Sequence, residues 1–161
     1  MRNLAIYGIV AAGFVGYNMM TQADRDSTGA IVSGGDVDAF TMRVGDCFDD
    51  TNSIATQDGG EVTSLPGVPC AEPHDNEVYA VIDLNVASFP QGDEMSELAF
   101  ESCLERFEPF VGLEYESSTL DILTLYPTED SWKLQNDREV VCALYDMNAS
   151  KLTGSAKGSG V

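Results

Sequence analysis

EMSELAFESCLERFE, residues 94–108, decides how the rest of the chain is read. Phe100, Cys103, Leu104, Phe107 and, just beyond, Val111 recur at i, i+3, i+4, i+7 and i+11, one apolar stripe at helical spacing. Glu97, Glu101, Glu105 and Glu108 occupy the other faces together with Arg106. Glu94 and Glu97 complement the positive end of a helix dipole, Asp93 or Gly92 can cap it, and Pro109 and Gly112 are stop signals. The spacing predicts one amphipathic helix over Glu94–Glu108, whose apolar side has to be covered by another element.

Strands on either side supply that cover. Val78–Leu84 alternates, with Val78, Ala80, Ile82 and Leu84 on one side and Tyr79, Val81 and Asp83 on the other. Thr119–Tyr126 repeats the pattern, with Leu120 and Ile122 opposite Leu123 and Leu125, and Arg138–Asp146 is dense in Val and Tyr. Met42–Phe48 and Val62–Val68 are weaker strands, the second interrupted by Pro66 and Gly67. One helix beside strands in hairpin-like succession predicts a small α+β domain with an antiparallel sheet.

Four cysteines, Cys47, Cys70, Cys103 and Cys142, allow three pairings. Cys103 lies on the apolar stripe of the helix, and Cys142 shares a strand face with Val140 and Leu144. A helix laid on a sheet brings those faces together, which favours Cys103–Cys142 and leaves Cys47–Cys70 to close a loop poor in core residues. Zinc fits the spacing badly: there is no Cys-x-x-Cys, and the sole histidine, His74, stands four residues after Cys70. No metal and no cofactor is expected.

Residues 21–39, TQADRDSTGAIVSGGDVDA, have the Ser, Thr, Gly and Asp content of a flexible acidic linker, and 40–161 is expected to fold. Thr153–Val161 is again rich in Gly and Ser and reads as a tail or a final edge segment. Leu4–Met20, LAIYGIVAAGFVGYNMM, is uncharged and just long enough to cross a bilayer, so residues 1–20 read as a membrane anchor. A secretory signal cleaved near Thr21-Gln22-Ala23 is the competing reading. Arg2 before the span and Asp24 and Asp26 after it place the N-terminus in the cytoplasm and the remainder outside. Gly8, Ala12 and Gly16 form a small-residue stripe of the kind that lets a second helix approach, although Gly and Ala are common in membrane helices in any case. An extracytoplasmic domain agrees with disulfide use.

Charge narrows the function. Arg2 is one of 8 basic side chains, so the chain beyond Met20 carries 27 acids against the remaining seven, a formal −20. Nucleic acid binding needs clustered Lys and Arg, which argues against it here, and the same lack of polybasic segments disfavours electrostatic adsorption to anionic lipid. A surface this acidic steers basic proteins toward it. Among candidates for chemistry, His74 beside Asp75 and Glu72 is the most interesting; it suits either a general base lacking an evident nucleophile or a structural ring closing the Cys47–Cys70 loop. No Gly-x-Ser-x-Gly is present. Asp46, Asp49 and Asp50 form a short acidic cluster without the EF-hand pattern.

Several strings in order carry a family resemblance. They are Gly45-Asp46-Cys47-Phe48, Val68-Pro69-Cys70-Ala71-Glu72-Pro73-His74-Asp75-Asn76-Glu77-Val78, Cys103 in an acidic helix, Tyr126-Pro127-Thr128 with Ser131-Trp132, Asp137-Arg138-Glu139-Val140-Val141-Cys142-Ala143-Leu144, and Leu152–Gly160. Together, over Val44–Gly160, they resemble the actinobacterial septum formation domain family. The resemblance implies a membrane-anchored or secreted envelope protein and supplies no catalytic residue. Where that family often ends in a basic residue after Gly-Ser-Gly, this chain has Val161.

The expectation is therefore a non-enzymatic, membrane-anchored accessory or interaction subunit of an envelope complex, in a division or respiratory assembly, whose partners are that complex and a basic extracytoplasmic protein. Two alternatives are a cation- or ligand-binding sensor using Asp46, Asp49, Asp50 and the His74 loop, and a hydrolase centred on His74.

Overall fold

A computed structural model describes residues 22–50 and 62–161. The span at 4–20 and the Gly8, Ala12, Gly16 stripe lie outside the described residues. Among those described, no helix is long and apolar enough to cross a membrane.

The elements in chain order are β1 (Asp24–Arg25), β2 (Ile31–Ser33), β3 (Gly35–Asp38), β4 (Cys47–Phe48), β5 (Ser64–Val68), β6 (Asn76–Asp83), α1 (Glu94–Val111), β7 (Leu120–Leu125), α2 (Glu129–Leu134) and β8 (Glu139–Asp146). Six strands make one sheet in the order β3-β5-β4-β6-β8-β7, antiparallel at every pairing, and β1 pairs with β2 as a separate hairpin. The protein is a small α+β domain with one main helix and two disulfides.

Helix α1 crosses the sheet on a row of residues four apart: Met95, Ala99, Cys103, Phe107 and Val111 are all buried, joined by Phe110. Such i, i+4 rows are the ridges by which helices pack. The expected stripe is thereby rotated: Phe100 lies at the margin against the Tyr115 ring, and Leu104 is only partly buried. Pro109 does not end the helix. Its missing N–H removes one bond near the C-terminus, and the helix runs on to Gly112, which takes the left-handed turn (φ 85°) that a glycine C-cap supplies.

The two strand faces divide as β8 predicts. Val140, Cys142 and Leu144 meet α1, while Val141 and Ala143 join a second core with Phe48, Leu65 and Val78. In β6 the simple alternation fails. Val78 pairs with Ala143 and Ala80 with Cys142, so Tyr79 is an extra residue, a bulge. Val78 is thus turned away from the helix, whereas Tyr79 and Ala80 both face it. The bulge aims Tyr79 at α1, where its hydroxyl donates to the Cys103 carbonyl at 2.9 Å and its ring meets Phe107 edge-on.

Both disulfides form as the periodicity favours: Cys103–Cys142 ties α1 to β8, and Cys47–Cys70 ties β4 to the loop before β6, with Cα–Cα distances of 5.5 and 5.2 Å.

The segment expected to be a linker is a correction. From Gln22, which bridges to Asp36, it folds as β1, β2 and β3 against the second core, burying Ile31 and Val37. Composition hid this because the strands are two to four residues long, too short to show a period. Pro66 and Gly67 likewise do not interrupt β5. A Cβ on Gly67 would stand 2.5 Å from Val37 and 2.9 Å from Ile31, so its bare backbone is what lets the β2–β3 segment close onto the sheet.

Candidate functional site

The sequence candidates do not converge. Glu72 is exposed, His74 is wholly buried (0% exposed) and Asp75 turns to Lys151 at 2.8 Å. His74 Nδ1–H donates to the Glu72 carbonyl at 2.8 Å, and its backbone exchanges two hydrogen bonds with Leu152. Its Nε2 is buried with no hydrogen-bond partner, an arrangement that costs about 1–3 kcal/mol and leaves the ring sealed from substrate. The ring braces its own loop through Glu72, and the His74 backbone fastens that loop to the C-terminal segment at Leu152.

The acidic cluster also separates. Asp46, 2% exposed, receives both guanidinium nitrogens of Arg25 and the N–H of Arg43. Asp49 shares Lys151 with Asp75, and Asp50 accepts from Asn76 at 2.6 Å. Burial pushes the Asp75 carboxyl up, but Lys151 and the N–H of Asp50 outweigh it and hold the group below the ordinary carboxylate range. Among the described residues, no group of three His, Cys, Asp or Glu is arranged to hold a metal ion.

Two carboxylates that the sequence did not single out organise the rest. Glu77, fully buried on β6, accepts from the Ser155 hydroxyl and from the Ala156 N–H at 2.7 Å. With Gly158 and Gly160 donating to the carbonyls of Phe110 and Val111, this straps Leu152–Gly160 across the end of α1, so the apparent tail is part of the body. Asp121 accepts from the hydroxyls of Tyr115 and Tyr145. Burial opposes ionisation of Asp121, yet the two hydroxyls and the Ile122 N–H keep its carboxyl below the usual range.

The hydrogen bond to Asp121, then burial and the aspartate charge, push the Tyr115 phenol up to about 12. A raised phenol stabilises the fold fully below the ordinary value near 10 and loses that contribution as pH climbs through 12. Tyrosine-selective carbon NMR should find one ring titrating near 12, and Asp121→Asn should return its midpoint toward 10.

One open cleft of about 180 Å³ lies on the sheet face turned away from α1. Phe40, Leu125, Tyr126 and Val141 give it apolar walls, and Asp137 and Glu139 give it carboxylates. Alternation along β8 explains the placement: Glu139 and Val141 share the face opposite Val140 and Cys142. Asp137 is fixed by α2, whose capping box holds Ser131 so that its hydroxyl donates to Asp137 at 2.8 Å. Phe40 and Tyr126 remain 45% and 42% exposed. Glu139 pairs in register with Asp83, and burial followed by the charges of Asp83 and Asp137 raises its carboxyl above the ordinary value. The sequence signal for this cleft was the acid–base–acid triplet Asp137-Arg138-Glu139 at the head of an apolar strand.

No curated protein and no solved structure matches the chain. The family model described as Septum formation matches residues 44–159, covering the disulfides, α1, the cleft-bearing strands and most of the C-terminal strap. The chain therefore belongs to the septum formation family.

Proposed function

We propose that this protein is a non-enzymatic, membrane-anchored accessory subunit of an envelope complex, with its folded domain on the extracytoplasmic side. The uncharged run Leu4–Met20, flanked by Arg2 and by Asp24 and Asp26, supports attachment and orientation. The two disulfides suit an oxidising compartment. The observation that carries the reading is the open cleft, lined by Phe40, Tyr126, Asp137 and Glu139, in a protein of formal net charge −19. A receptive surface with the only imidazole locked inside favours recognition over hydrolysis.

Purification of the full-length protein from its own membranes in mild detergent tests this. It should elute with a partner in fixed stoichiometry, recovered from membranes and not from the cytosol. Elution as a lone monomer overturns the proposal.

A further inference from the structure

We infer that the cleft between Phe40 and Tyr126 receives a lysine or arginine side chain, presented by an apolar-flanked segment of a partner protein. This rests on the reading of the domain as an interaction module and names the contact it makes.

Size is the first reason. A volume of about 180 Å³ falls short of the roughly 300–1,000 Å³ typical of small-molecule sites, and it suits one long side chain. Chemistry is the second. The walls take the aliphatic stem of a basic side chain, while aromatic faces and carboxylates both attract its charged head.

The third reason is an imbalance of charge within the protein. Asp83, Asp137 and Glu139 are gathered at one end of the sheet, with Asp83 and Glu139 directly opposite each other, an arrangement that is repulsive when nothing intervenes. The basic residue that stands between Asp137 and Glu139 in sequence does not relieve it. Arg138 turns away, stacking its guanidinium 3.5 Å over the Trp132 ring and donating to the carbonyls of Trp132 and Asp137. Among the described residues, the ion pairs are Arg25–Asp46, Lys133–Glu129 and Lys151 with Asp49 and Asp75, and none reaches these three acids. A second copy of this chain is a poor donor, since it has only 8 Lys and Arg in all.

The test uses the full-length protein in lipid nanodiscs and the probe peptide acetyl-Leu-Lys-Tyr-Leu-amide carrying a benzophenone photocrosslinker. Peptides with Glu or Gln in place of Lys serve as controls. Crosslinks from the Lys peptide should map to residues 39–40 and 124–126 and exceed those of the controls by about tenfold. Glu139→Gln should weaken labelling about fivefold. Glu139→Lys should abolish it without lowering the melting temperature, because it sets an internal cation beside Asp83 and Asp137. Labelling spread over the surface, equal labelling by the Gln peptide, indifference to both Glu139 variants, or crosslinks joining two copies of the chain at the cleft each overturn the proposal. If the wild type purifies with the membrane partner and the Lys peptide fails to label that wild type, the cleft assignment falls and the subunit reading stands. If the peptide labels as expected and the wild type purifies alone, the subunit reading is the one that falls.

Discussion

Cys103→Ala combined with Cys142→Ala should lower unfolding stability by about 4 kcal/mol, the entropic value for freeing a loop of this length. The bridge joins α1 to β8 across the helix-facing core, and both cysteines are fully buried, 39 positions apart in sequence. Its removal also leaves unfilled volume beside Phe107 and Leu144, which adds to the loss. Against a total near 5–15 kcal/mol for a domain, this is at least about a quarter of the margin. Urea unfolding followed by circular dichroism should show the midpoint falling further than for the Cys47→Ala, Cys70→Ala pair. That second bridge spans 23 residues, and Cys70 is partly exposed, so less packing is lost with it. A smaller effect for the Cys103–Cys142 pair would mean that the helix is held to the sheet mainly by its apolar row.

Arg25→Ala should cost about 3–5 kcal/mol, an unusual penalty for a residue in a stretch so polar. The side chain meets Asp46 with both terminal nitrogens, and Asp46 is almost wholly buried. Taking the guanidinium away strands a carboxylate whose remaining side-chain partner is the Arg43 N–H. Arg25→Met together with Asp46→Asn should recover much of the loss, because a neutral amide still accepts from Arg43 and no uncompensated charge is left inside. Thermal unfolding of the three proteins at low and high salt separates this buried pair from surface attraction, since a pair so enclosed is weakly screened.

The helix-facing half of the protein was readable because each side of that contact carries its own period. Cys103 with Phe107 and Val111 follows 3.6, Val140 with Cys142 and Leu144 follows 2, and together they select the disulfide partner. What stayed hidden depends on contacts that are distant in sequence or on departures from those periods. The bulge at Tyr79 reverses the side of Val78, and nothing local announces an inserted residue. Arg25 gains meaning only through Asp46, twenty-one positions later, and Glu77 only through Ser155 and Ala156 near the far end of the chain. The cleft belongs to the same class: Phe40, Tyr126 and Glu139 come from three separate stretches, and the second core that positions them is built partly from residues whose composition suggested a linker.

That early folding carries a mechanical corollary. Gln22 is already fastened to Asp36, so Thr21 alone separates the rigid body from Met20, and one residue reaches no further than about 3.6 Å. With Leu4–Met20 seated in lipid, as proposed, the globule rides close against the headgroups like a turret with no leash. Its distance from the bilayer is then limited by that single residue, and whatever it grips must present itself close above the lipid plane.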